Sequence, residues 1–278
     1  MPDPTWADFV AGWPIFRDPV LCGALAGAAL GLLGVYVVLR RMVFMAAVLS
    51  QSAGFGVALA IWVGMLADAH VEPMIGAIVA ALGASALFSL RPERVHLSRE
   101  ALLAVAWVAA GAGALVLGGK ISAEAHDIES ILFGSAVLVR PVDLWLVGAA
   151  AVLTVGAHAW LGRGLVFAGF DPQVARVHGL PVAALDLGLW VLVAVVVSVS
   201  TRALGALPVL AFSVLPAMAA LLLIPRLSLV FPAAAGIGAV SGGLGYLLAF
   251  FESWPVGASQ SLVAVGFVLV AALVRAVV

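Results

Sequence analysis

Charge is what this chain has least of. Asp, Glu, Lys and Arg make up 10% of its 278 residues, against about 25% in ordinary soluble domains. The formal net charge is −1, and nothing in that balance points to nucleic acid as a partner. There is one cysteine, Cys22, inside an apolar run. An internal disulfide is therefore impossible, and a metal-thiolate cluster is absent. Catalytic signatures are missing too: there is no HExxH, no GxSxG, no pair of intramembrane aspartates and no nucleotide-binding glycine loop. These absences argue against an enzyme, and they leave any energy-consuming step to a partner. No cleavable leader is expected, because Asp3, Asp8 and Asp18 and several prolines fall among the first 19 residues with no basic start.

Apolar residues are abundant, at 65% of the chain, with a mean hydropathy of +1.23. No soluble fold of this length could hide so much apolar surface, so lipid is the solvent for most of it. The runs are long and unbroken rather than alternating, which favours helices over a β-barrel. The expected class is an all-α polytopic membrane protein, one transmembrane domain over residues 1–278, with about eight to nine spans.

Met1–Asp18, with Trp6, Trp13 and Phe16, reads as an interfacial lead-in, since Trp favours the headgroup layer. Spans are expected at Pro19–Leu39, Phe44–Met65, Pro73–Leu90, Ala101–Leu117, Val142–Leu161, Val182–Ser200, Gly205–Ile224, Leu227–Phe250 and Val256–Leu273. In the first, Gly23, Gly27 and Gly31 lie four apart on one face and permit a close helix–helix approach. Pro208 and Pro216 interrupt the seventh. Gly118–Pro141 is too polar to cross, and its apolar piece Ser130–Val139 reads as a short helix packed at one surface. With the start outside, Arg40, Arg41, Arg91, Arg94, Arg99, Arg163, Arg176, Arg226 and Arg275 fall inside, and Arg17, Lys120, Arg140 and Arg202 fall outside. That is the asymmetry the positive-inside rule requires.

Phe170–Pro181, FDPQVARVHGLP, stands apart as a short polar helix between two apolar segments. Asp171 can cap its start, Pro172 suits the first helical position, Gly179 can take a left-handed stop, and Pro181 bars continuation. His178 would favour its C-terminal end. So short a helix is marginal alone. It is either held by its neighbouring spans and presented to a partner, or an ordinary loop with one helical turn.

Few ionisable groups lie at membrane depth. Asp186 is either a proton or cation site or an interfacial carboxylate reaching water. His158 reads as a packing or a ligand residue. His70 and His126 sit in outer loops beside carboxylates, where they either meet over a metal or stay solvated. The run Ser50–Gln51–Ser52 is unusual in an apolar span: Gln51 either lines a translocation path or joins neighbouring helices by hydrogen bonds. Gly54 and Gly56 just after it mark a tight region.

Several stretches in this order, VVLRRMVFMAAVLSQSAGFGVALA (37–60), ESILFG (129–134), FDPQVARVHGLP (170–181), GALPVLAFSVLPAMAALLL (205–223) and ESWPVGASQSLVAV (252–265), resemble the membrane subunit of metal-type ABC importers, the zinc/manganese/iron permease family. The resemblance runs over nearly the whole chain. It implies a type II importer fold in the plasma (inner) membrane of a prokaryote. Two permease copies, most simply a homodimer within membrane lipid, would enclose a path for a metal ion or metal-linked cargo. A cytoplasmic ATPase subunit would dock on Phe170, Asp171, Pro172, Ala175, Arg176 and Gly179, and an extracytoplasmic substrate-binding protein would deliver the cargo. No cofactor is expected in this chain, ATP being bound by the partner. Ser130–Val139 would be the short helix near the outer gate. The family's second span usually carries an Asp and, four residues on, a His, placing a carboxylate and an imidazole on one helix face. Here those positions are Ala47 and Gln51. The path residues expected are then Ala47, Ser50 and Gln51, with no metal ligand among them. Either the metal passes this point without side-chain ligation, or the cargo is a chelate or an uncharged molecule.

Overall fold

The structure, a computed structural model of the chain, describes residues 5–69, 71–89, 99–121 and 139–277. Every regular element among them is an α-helix: α1 Trp6–Ala11, α2 Trp13–Leu39, α3 Val43–Ala67, α4 Pro73–Ser89, α5 Arg99–Lys120, α6 Pro141–Phe170, α7 Pro172–Val177, α8 Val182–Leu204, α9 Ala206–Leu223, α10 Leu227–Glu252 and α11 Val256–Val277. Eight of these are long and apolar enough to cross a bilayer. The ninth candidate, α4, has 17 residues, at the short end of the spanning range. All nine expected spans are thus helices. The loop histidine His70, the arginines Arg91 and Arg94, and the 122–138 segment with His126 and most of the expected outer helix lie outside the described residues.

Two boundaries depart from expectation. The first span does not begin at Pro19. It begins at Trp13, and Pro19 lies inside it. Phe16 stacks on Phe9 of α1 and meets Phe250 at the end of α10, so an aromatic cluster carries the helix past the proline. α1 itself is closed by a capping box between Thr5 and Asp8. Those hydrogen bonds from Thr5 hold the Asp8 carboxyl below its ordinary range. The fifth span does not end at Leu161. The helix continues to Phe170, because Leu165 and Ala168 are buried on it and Gly162 makes room for Tyr36 and His158.

α2 is the central strut, touching α6, α8, α9 and α10. Its glycine face does what the spacing predicts. Gly23, Gly27 and Gly31 meet the Gly242, Gly238 and Ala234 carbonyls of α10 in antiparallel order, backbone close to backbone, with the Gln260 amide also reaching in at Gly23. Gly34 lies equally tight on Ser213 of α9. Gly56 has the same use. It crosses Gly76 of α4, so the tightness after Gln51 is helix packing. Gln260 of α11 is fully buried and donates to the Gly242 carbonyl at 3.1 Å, tying α11 to the same seam. Gly205, at φ 94°, makes the abrupt junction between α8 and α9. Pro208 stands in the first turn of α9, where an N–H would lack a partner anyway, whereas Pro216 lies inside the helix.

Candidate functional site

Ala47, Ser50 and Gln51 sit one turn apart on α3, so a single face can present all three. They line one cavity of about 440 Å³, walled opposite by Trp107 and Gly111 of α5 and by Ala206 and Leu207 of α9. Ser50 is buried and donates to the Ala206 carbonyl at 2.8 Å, fixing α3 to the start of α9. That leaves Gln51 as the polar group facing the space. Its Oε1 is buried and accepts no hydrogen bond from the described residues, which is costly unless something else supplies a donor. Gly111 faces the Gln51 amide, and a Cβ there would only touch its nitrogen, at 3.7 Å. Among the described residues neither a carboxylate nor an imidazole lines the cavity, and they hold no cluster of three His, Cys, Asp or Glu side chains placed for a metal. The rim is apolar and outward-facing at Val108, Leu115 and Leu207, so the cavity opens sideways from this chain. Sequence reasoning missed Trp107, Gly111 and Ala206. Nothing in the local pattern of α5 or α9 says that they face α3.

The 170–181 segment forms the capped helix that its residues predict. Asp171 accepts from the Gln173 and Val174 N–H groups at 3.1 and 2.9 Å. Gly179 takes φ 78°. The N–H of Leu180 reaches the Ala175 carbonyl and that of Gly179 the Arg176 carbonyl, at 3.0 and 2.9 Å, a complete Schellman closure. His178 bonds the Val174 carbonyl at 2.9 Å. Ala175 alone of α7 is buried, against Ala168 of α6 and Val182 of α8. The opposite face is open and apolar: Val177 is 86% exposed and Phe170, just before the cap, 64%. Phe170, Asp171, Pro172, Arg176 and Gly179 are all exposed.

Asp186 is no isolated site. It pairs with Arg40, which also donates to the Leu165 carbonyl at 3.1 Å. One guanidinium therefore ties together α2, α6 and α8 at the end of the bundle that carries α7. Both residues had been placed near the inner surface, and that shared depth was the available signal for the pair. His158 packs rather than stands free: its Nδ1 lies 2.6 Å from the Tyr36 hydroxyl and its ring 4.4 Å from that of Phe231. At the other end of α8, Arg202 meets Glu72 at 2.8 Å and Asp143 at 3.5 Å, and Arg140 approaches Asp143 at 3.2 Å. The residues assigned to opposite membrane faces thus gather at opposite ends of the bundle.

A polytopic helical bundle with a small capped helix at one end and an apolar lateral cavity holding one buried amide is the build of a transporter's membrane subunit. The sequence model of the ABC 3 transport family matches residues 13–275, and the chain belongs to that family. It is similar to the manganese transport system membrane protein MntC of Listeria monocytogenes, with 26% identity over 91% of this chain and 88% of that protein. It is also similar to the chelated iron transport system membrane protein YfeD of Yersinia pestis, with 24% identity over 93% and 85%. Among solved structures, PsaBC from Streptococcus pneumoniae in complex with Fab superposes with a TM-score of 0.85 at 22% identity, covering 96% of this chain and 95% of the other. The fold is therefore that of an ABC permease, and the chain is a multi-pass protein of a prokaryotic plasma membrane.

Proposed function

We infer that this chain is the membrane-spanning subunit of an ATP-driven importer for a metal cargo, that α7 is the lever through which a cytoplasmic ATPase moves it, and that the Ala47–Ser50–Gln51 face lines the path. The observation that carries the reading is α7 itself. A six-residue helix is closed at both ends by hydrogen bonds, anchored by one alanine, and turns bare valine outward beside the exposed Phe170 that precedes its cap, on the side where basic residues accumulate. An isolated helix of that length would melt, and apolar residues exposed in a polar loop suit a partner's cleft. The sideways opening of the cavity suits a second copy of the chain as its missing wall. The metal assignment follows the names of the relatives, and the cargo would be handed over by an extracytoplasmic binding protein.

Gln51 offers an amide where imidazole and carboxylate bind transition metals well. The cargo accordingly passes this point inside its own water or chelate shell, which the amide can hydrogen-bond.

The test is coupling in proteoliposomes containing the chain, its ATPase and its binding protein. Asp171→Lys removes the cap, worth about 1 kcal/mol, and Gly179→Val places a β-branched residue at positive φ. Both variants are expected to insert normally, while uptake per ATP hydrolysed falls at least about tenfold, the effect of some 1.4 kcal/mol of lost coupling. Normal coupling in both would refute the role given to α7.

A further inference from the structure

A second cavity, of about 560 Å³, lies between the last turns of α6 and the first turn of α10. Phe167, Phe170 and Phe231 form its apolar wall, and Arg163, His158 and Ser228 are its polar groups. Among the described residues no acidic side chain lines it. Arg163 is exposed and has no ion-pair or hydrogen-bond partner among the described residues. Arg226, also exposed, stands two residues before Ser228, at a helix start without a side-chain cap.

Depth identifies what meets this cleft. α6 has 30 residues, about 45 Å of helix, and the hydrocarbon layer is about 30 Å thick. Asp143, near the start of α6, is held in the ion network with Arg140 and Arg202, so it marks one headgroup layer. Twenty residues on, about 30 Å along the axis, comes Arg163, at the other layer. Toward the midplane from Arg163, α6 presents exposed Val152, Val155 and Trp160, a greasy flank topped by a side chain that favours the interface. A guanidinium at phosphate depth, a hydroxyl lining the same cleft, aromatic walls and an apolar flank above are complementary to one class of molecule.

We propose that this cleft binds an anionic phospholipid of the inner leaflet, its phosphate on the Arg163 guanidinium and the Ser228 hydroxyl and its acyl chain along α6. The site is separate from the path and borders the exposed face of α7 at Phe170, which lines the cleft, and it stands independently of the cargo. Phe170 is the last residue of α6, and the ring of Phe167 meets that of His178 beside α7 at a centroid distance of 5.6 Å. The bound lipid therefore braces the joint from which α7 hangs.

The full chain, reconstituted in nanodiscs of phosphatidylcholine with or without phosphatidylglycerol, tests this by native mass spectrometry after detergent extraction. The wild type is expected to retain phosphatidylglycerol, Arg163→Gln to retain it about tenfold less, Ser228→Ala to fall between, and Arg163→Lys to keep most of it. All four are expected to melt at the same temperature in pure phosphatidylcholine, and phosphatidylglycerol should raise that temperature only in the chains that retain it. Equal retention by wild type and Arg163→Gln would overturn the proposal. So would displacement of the lipid by inorganic phosphate alone, which would make this a simple anion site. Weaker capture of the ATPase by Arg163→Gln with lipid retention unchanged would also overturn it, showing that the cleft belongs to a protein partner.

Discussion

Gln51 shows how much one side chain can decide. The α3 face is built so that residue 47 and residue 51 look into the same cavity, and only their identities separate this chain from one that could grip a transition metal there. Replacing both, Ala47→Asp with Gln51→His, installs a carboxylate and an imidazole one turn apart without disturbing the Ser50–Ala206 hydrogen bond. The double variant is expected to bind zinc or manganese tightly enough to slow release, so that transport-coupled ATP hydrolysis in proteoliposomes becomes inhibited by those ions at concentrations that leave the parent unaffected. Identical metal sensitivity in both proteins would mean that residues 47 and 51 do not face the cargo. The residue types at these positions were legible in the sequence. Their shared cavity was not, because its far walls come from helices more than fifty and a hundred and fifty residues away, and no local pattern reports that distance.

At the scale of the helix, small residues were the most readable feature. The four-residue spacing of Gly23, Gly27 and Gly31 announced a face that another backbone could reach, and α10 supplies it with glycines at the same interval. Gly27 and Gly266 make a contrasting pair. A Cβ at Gly27 would run into the Gly238 carbonyl, whereas one at Gly266 meets nothing within 4 Å. Gly27→Ala is expected to destabilise the detergent-solubilised protein by about 2–3 kcal/mol, and Gly266→Ala to stabilise it by up to about 1 kcal/mol through helix propensity. Thermal unfolding followed by circular dichroism should therefore move in opposite directions for the same chemical change. The ends of helices were less legible. α6 outruns its hydropathic stretch because tertiary contacts at Leu165 and Ala168 replace lipid as its apolar environment, and a hydropathy window cannot tell one from the other.

For the molecule as a whole, the basic residues predict an orientation, and the ion pairs gather at the two ends it distinguishes: Arg40 with Asp186 at the end bearing α7, and Arg140 and Arg202 with Glu72 and Asp143 at the other. Sidedness can be read with a membrane-impermeant maleimide. Cys22 is fully buried and should stay silent, which makes the natural chain a ready background. Val177→Cys is expected to react only in inverted vesicles, and Trp254→Cys, past the end of α10, only in intact cells. The reverse pattern would put α7 on the wrong side for an ATPase.

The seam between α2 and α10 sets a limit on how such a molecule can work. Where main chains abut, there are no ridges to climb from one groove into the next, so this pair is unsuited to ratcheting and should travel as a single plate. Alternation between the two openings must then be concentrated where α5 stands across the cavity from α3, since α9 is itself held to α2 at Gly34 and Ser213.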